Sequence, residues 1–197
     1  LGLLSTSNGA YRISEGEVHH TGTGPSFLGS LDASLSPAVG EALLRTLCRT
    51  GLPVAWEEQM ARRLWEKLLV NCGINSLTAL WGCRNGELLG NPVAERLLTQ
   101  ILAEASQVMQ AALQTSVSAA EMLAQVLRVA EKTSANYSSM CEDRRLGRST
   151  EVEYIQGFVV QQGRQLGIAT PVLGTLAELI RGAQVVSATP PVLKEAQ

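Results

Sequence analysis

Lys67, Asn71 and Asn75 stand at i, i+4 and i+8 within residues 64–80, a run that reads as a helix. That spacing lines the three side chains along one side as a polar stripe. One ammonium and two carboxamides supply a fixed cation and several hydrogen-bond donors and acceptors for a small polar ligand. Leu64 and Ile74 fall inside or beside the stripe, at about 100° per residue. Trp65, Leu68, Leu69 and Val70 cover the rest of the circumference. A helix apolar nearly all round is expected to be buried. Its lysine and asparagines must then face a polar cavity or partners, because unpaired burial is costly. Alone, a Lys-x-x-x-Asn reads as a lysine snorkelling to water beside asparagines that bridge backbone. Asn75 in register, and a second polar block further on, favour a site.

That block is NYSSMCED at residues 136–143, followed by TEVEYIQG at residues 150–157. Asn136 and Ser139 offer a carboxamide and a hydroxyl from an expected loop, suitable donors for a small carboxylate. Glu151 falls in the first turn of a helix expected over about residues 150–166, where the macrodipole favours a carboxylate. Taken alone it reads as a helix-start acid. Arg144, Arg145 and Arg148 can pair with Glu142, Asp143 and Glu151, and Glu104 reads as a solvated face residue.

The elements that must position these groups change character near residue 55. Before it lie two short strand-like pieces, residues 10–13 and 17–21, around a tight turn at Ser14-Glu15-Gly16. Residues 26–29 are expected to extend that sheet. Ser36 and Pro37 open a helix as N-cap and first position, and Gly51 with Pro53 closes it. A hairpin and one helix cannot bury a sheet face alone, so residues 1–56 are expected to be the tail of a larger α/β domain. Residues 57–197 read as helical. Asn91-Pro92 starts a long helix through about Leu113, with apolar residues at helical spacing. Ser118 and Glu121 form a capping box for a helix through about Asn136. Gly167 stops the helix before it, Pro171 opens the last one, ending near Arg181, and the tail with Pro190-Pro191 is expected to fray. Gly22-Thr23-Gly24 reads as a turn, since Phe27 stands where a third glycine of a nucleotide loop belongs and no helix opens there.

The chain has 197 residues and a formal net charge of −2, without a long charge run, which excludes a nucleic-acid surface built on a basic patch. Scarce aromatics exclude base-stacking platforms. Cys48, Cys72, Cys83 and Cys141 form no C-x-x-C pair and stand far from His19 and His20, so no metal site is expected. Scattered single cysteines fit a reducing cytoplasm, and no apolar run reaches the roughly 18 residues of a membrane span. The opening residues lack an initiator methionine and a signal-peptide pattern, as in the middle of a longer protein.

Two blocks carry a family resemblance. WEKLLVNCGINSLTALWGCRNGEL (residues 65–88) closely resembles ketopantoate reductase, or 2-dehydropantoate 2-reductase, as do NYSSMCEDRRLGRSTEVEYIQGFVV (residues 136–160) and the following GIATP. EVHHTGTGPSFLG resembles the last strands before that family's helical domain, and the likeness runs over about residues 5–180. It implies a mainly α chain: an all-helical C-terminal domain of 6-phosphogluconate-dehydrogenase-like type, preceded by the end of a truncated Rossmann domain, with the active site in the cleft between. It implies reduction of ketopantoate to pantoate with NADPH, on the route to pantothenate and coenzyme A. Lys67 resembles the family's catalytic lysine, which protonates the carbonyl oxygen. Asn71, Asn75, Asn136 and Ser139 resemble substrate-binding positions, and Glu151 the family's catalytic active-site glutamate, which helps order substrate and cofactor. The chemistry fits, because hydride addition to a ketone develops negative charge on oxygen that a positioned ammonium stabilises and protonates.

The family's G-x-G-x-x-G stretch and its Rossmann-domain asparagine have no counterpart here, so NADPH is expected to be bound mainly by an N-terminal domain. The expected partner is a 2-keto acid, with no nucleic acid and no membrane, in a monomer or homodimer. Two alternatives stand beside this reading: a reductase of another 2-keto acid, and a non-catalytic helical module for dimerisation or small-acid binding.

Overall fold

A computed structural model describes residues 2–7, 9–22, 24–31 and 35–188. Thr23 and the Pro190-Pro191 tail, on which two of the readings above fall, lie outside the described residues. The chain divides into two compact units, Leu1–Trp65 and Glu66–Gln197.

The first unit holds strands β1 (Gly2–Thr6), β2 (Gly9–Ser14), β3 (Glu17–Gly22), β4 (Ser26–Ser30) and β5 (Val54–Trp56), with helix α1 (Pro37–Cys48). β2 and β3 form the expected hairpin, turning at Glu15-Gly16, where Gly16 takes φ 80°. β4 does not extend that hairpin. It is the middle strand of a separate sheet of order β1-β4-β5, antiparallel to β1 and parallel to β5. Burial explains the choice: Ser26 and Leu28 are buried, whereas the hairpin is largely exposed. A parallel pair needs a crossover, and α1 supplies it between β4 and β5. Ser36 caps α1 by accepting from the Val39 N–H, with Pro37 at the first position. Two glycines allow close packing here. A Cβ on Gly29 would stand 2.4 Å from the Glu57 carbonyl oxygen, and one on Gly40 3.0 Å from the Trp56 ring.

Helix α2 (Met60–Trp81) contains the boundary between the units. The second unit continues with a 3-10 turn (Asn85–Leu88), α3 (Pro92–Leu113), α4 (Ala119–Lys132), α5 (Ser139–Arg145), α6 (Gln156–Leu166) and α7 (Pro171–Ala188). Among its described residues every regular element is helical, and its core lies around α3, which packs on α4, α6 and α7. Leu98, Ile101, Leu102, Ala105, Val108 and Met109 of α3 are fully buried. Gly73 lets α2 approach closely, since a Cβ there would meet Leu98 at 3.1 Å and Val126 at 3.2 Å. Asn91 and Ser118 cap α3 and α4 through their side chains.

Five sequence expectations for the helical unit are corrected. Asn136 and Ser139 do not share one loop: Ser139 opens α5, with Ser138 as its N-cap. α4 ends at Lys132 and α7 continues to Ala188. α6 begins at Gln156 instead of near Thr150, behind a run of turns that carries Glu151, so Glu151 is not in a first helical turn. Glu104 is no solvated residue: its two carboxylate oxygens accept from the Val172 and Leu173 N–H groups at 2.9 and 3.0 Å. It thereby caps α7 from α3, matching an acid to the positive end of that helix.

Candidate active site

The polar stripe of α2 is graded in burial. Lys67 is exposed, Asn71 half-buried and Asn75 buried. The expectation of a helix buried all along is corrected, because residues 61–68 are half-buried or exposed and, after Met60, burial resumes at Leu69. Lys67 thus presents its ammonium near the wet end of a stripe that runs about 12 Å to Asn75 at 1.5 Å per residue. Beyond Asn75, the hydroxyls of Ser76 and Thr78 donate to the Cys72 and Ile74 carbonyls, at 2.7 Å each. Burial pushes the Cys72 thiol up to about 12, so it packs as a neutral apolar group.

The second half of α2 is where later segments attach. The Thr78 and Ser138 hydroxyls lie 2.7 Å apart in a buried contact. Ser138 also accepts from the Cys141 N–H at 3.2 Å, closing the first turn of α5. The Arg144 guanidinium donates to the Ala79 carbonyl. Gln156 is fully buried, and its carboxamide nitrogen lies 3.5 Å from the Cys72 carbonyl oxygen. These contacts fasten the segments carrying Ser139 and Glu151 beside the part of α2 that carries Asn71 and Asn75.

Asn136 and Ser139 are themselves exposed, flanking half-buried Tyr137 and buried Ser138. Glu151 is exposed on a bend, and its carbonyl accepts from the Tyr154 and Ile155 N–H groups at 3.0 Å each. Two of the three arginines pair within the expected set and one does not. Arg145 pairs with Glu142 and Arg148 with Asp143, both at 2.8 Å, while Arg144 turns to the α2 backbone.

One residue escaped the sequence reading. Asn85 is buried; its N–H donates to the Asn136 carbonyl at 2.9 Å and its side-chain nitrogen to the Thr133 hydroxyl at 2.9 Å. Its carboxamide oxygen is buried without a hydrogen-bond partner. Asn-Gly is ordinary turn chemistry, which hides such a role. A second buried acceptor without a partner is the Gln156 side-chain oxygen. Buried polar groups are normally satisfied, so these two mark unspent hydrogen-bonding capacity beside the candidate residues. Among the described residues no group of His, Cys, Asp and Glu could hold a metal ion. No helix there is long and apolar enough to cross a membrane.

A solved structure of D-mandelate dehydrogenase with NADH and anilino(oxo)acetate superposes with TM-score 0.85 at 24% identity, over 94% of this chain and 61% of that one. At that identity the likeness shows the fold alone, a helical C-terminal unit that follows a small β-containing one in sequence. Sequence narrows it. Residues 59–184 match the family model "Ketopantoate reductase PanE/ApbA C terminal". The 2-dehydropantoate 2-reductase of Vibrio cholerae is 37% identical over 182 residues, 91% of this chain and 59% of that protein. That of Halobacterium salinarum is 37% identical over 181 residues, 91% of this chain and 58% of that protein. The chain therefore belongs to the ketopantoate reductase family and spans somewhat under three-fifths of the length of these relatives.

Proposed function

We propose that this chain is the C-terminal portion of an NADPH-dependent 2-dehydropantoate 2-reductase, acting in the cytoplasm on the route to pantothenate and coenzyme A. Residues 57–197 form its substrate domain, and residues 1–56 are the end of a dinucleotide-binding Rossmann domain. The protein works as a monomer or homodimer. The observation that carries this reading is that two blocks about 60 residues apart, each holding candidate side chains, are bonded through Thr78 and Ser138 in a chain of this family.

NADPH, when bound, supplies the hydride. As the ketone carbon accepts it, negative charge develops on the carbonyl oxygen, and the Lys67 ammonium stabilises that charge and delivers the proton. The lysine is reprotonated from water, which its exposure permits. Asn71 and Asn75 on α2, with Asn136 and Ser139 across from them in sequence, hold the substrate's carboxylate and hydroxyl in one pose. Glu151 orders substrate and cofactor, its exposed carboxylate able to accept from sugar hydroxyls. The remaining dinucleotide contacts belong to the additional length that the relatives have.

The test is NADPH oxidation with ketopantoate in the full-length protein. Lys67→Ala is expected to lower kcat by about 10²- to 10⁴-fold, the usual weight of a general acid, without loss of fold. Ser139→Ala removes a contact made equally in ground and transition states, so it should chiefly raise KM. A near-normal kcat for Lys67→Ala would make this lysine structural and overturn the mechanism. The likeness to D-mandelate dehydrogenase in complex with NADH supports a second reading, a reductase of another 2-keto acid using NADH. The same assay, repeated across 2-keto acids with NADH and NADPH, separates the two by kcat/KM.

A further inference from the structure

We infer that residues 84–86 are a positioning latch for the turn that carries Asn136, with Gly86 and Arg84 as its positioning residues. This deepens the reading above and rests on it: the latch matters to substrate only if Asn136 and Ser139 bind substrate.

Four consecutive residues of the turn are each held by this short segment. The Asn85 N–H donates to the Asn136 carbonyl at 2.9 Å and the Gly86 N–H to the Ser134 carbonyl at 3.1 Å. The Arg84 guanidinium donates to the Ala135 carbonyl at 3.1 Å, and the Asn85 carboxamide to the Thr133 hydroxyl at 2.9 Å. Arg84 also lies over the Tyr137 ring, 5.2 Å from its centroid, a cation–π contact.

The neighbouring helices do not require these bonds. α4 has already ended at Lys132, with the Thr133 N–H on the Val129 carbonyl, and α5 is capped by its own Ser138. A free loop of the same length could join them. The latch instead fixes the backbone of residues 133–136 and leaves the Asn136 side chain exposed. It sets where that side chain stands without using any of its atoms.

Gly86 is needed for close approach. A Cβ there would stand 2.7 Å from the Ser134 Cβ, 3.0 Å from its carbonyl oxygen and 3.1 Å from its Cα. Two of those three atoms are backbone, so the turn itself must move aside. Lys67 sits on α2, which the turn does not carry. Displacing the turn should therefore weaken substrate positioning and spare the proton transfer.

The experiment compares Gly86→Ala, Arg84→Gln and Asn136→Ala in the full-length protein, with ketopantoate and NADPH. Misplacement of a positioning group by about 1 Å can cost up to a hundredfold. Gly86→Ala is expected to raise KM for ketopantoate about tenfold, by the same principle, with kcat little changed. Arg84→Gln should raise it less. Ser134→Gly placed on Gly86→Ala removes the 2.7 Å contact and should recover part of the KM. Without substrate, hydrogen exchange across residues 133–139 should quicken in Gly86→Ala. If Asn136→Ala raises KM but Gly86→Ala does not, the latch is refuted and the substrate reading stands. If Asn136→Ala leaves KM unchanged, the substrate reading fails at this residue and takes the latch with it. Equal losses in kcat and kcat/KM without rescue by Ser134→Gly would mean general damage and also refute the latch. Should Gly86→Ala not fold, the exposed Arg84→Gln decides by the same KM criterion.

Discussion

Two turns of the helical unit carry candidate residues, and they are fastened in opposite ways. The turn at residues 133–138, before α5, is held by backbone carbonyls and by a buried hydroxyl pair, Thr78 with Ser138. The turn at residues 149–155, before α6, buries Val152 and Ile155, but its side-chain hydrogen bonds to α7 lie nearer water. Arg181 of α7 grips both oxygens of Glu153, at 2.5 and 2.7 Å, and Gln184 donates to the Thr150 hydroxyl at 2.6 Å. The Arg181 and Glu153 side chains are 36% and 57% exposed. Buried hydrogen bonds keep their strength whatever the solvent holds, whereas exposed ion pairs are screened by salt and contribute little. The Asn136 and Ser139 positions should therefore be rigid across conditions, and the Glu151 position should be tunable.

The largest effect expected is on the first turn. Ser138→Ala removes an N-cap and one side of the buried pair, for about 1–3 kcal/mol of stability. Denaturant unfolding should show a similar loss at low and high salt; a loss that vanishes in high salt would contradict the contrast. Next comes Glu104→Ala, which strips the cap from α7, the helix on which the second turn hangs. Hydrogen bonds to a charged group are typically worth about 1.5–3 kcal/mol, and partial exposure places this one near the lower figure. Arg181→Gln should cost less than about 1 kcal/mol, as exposed pairs do. Raising salt on the unmodified protein should reproduce part of that effect. An Arg181→Gln loss as large as that of Ser138→Ala would erase the distinction between the turns.

The same contrast governs what could be read from sequence. α1 and α3 begin where Ser36-Pro37 and Asn91-Pro92 stand, because cap and proline act within three residues of themselves. The β2–β3 turn is equally local, fixed by Gly16 at positive φ. α6 gives no such signal. It starts behind Ile155, which has φ −105° and ψ −87° and makes no side-chain cap, and Gln156 reaches back 84 residues to Cys72. The role of Glu104 is hidden for a like reason, since its partners lie 68 and 69 residues on. β4 joins β1 and β5 rather than the adjacent hairpin, a choice set by burial that adjacency in sequence conceals. At the site, the α2 stripe was legible as spacing. Its gradient from exposed Lys67 to buried Asn75 was not, because that depends on what packs over the helix. Asn85 was illegible because its importance lies in backbone bonds, which any residue but proline could make, and in a buried oxygen.

The smallest effect is the most discriminating, because it needs no substitution. The hydrogen bond from Arg181, and behind it the guanidinium's charge, holds the Glu153 carboxyl below the usual carboxylate range. A carboxyl whose folded value is depressed stabilises the fold above its unfolded value, near 4.5. That contribution is lost as pH falls from there through the lower folded value. The bonds of the first turn run between carbonyls, amides, hydroxyls and one guanidinium, with no carboxylate among them. Hydrogen exchange followed from neutral pH to about pH 3, after correction for intrinsic exchange rates, should therefore show residues 150–155 opening first. Residues 133–138 should hold until global unfolding. The modest exposure-limited strength of the Glu153–Arg181 pair predicts a small shift, visible only as a difference between the two turns. Simultaneous opening of both would mean that they belong to one cooperative unit, and that the ion pair has no separate hold on the segment carrying Glu151.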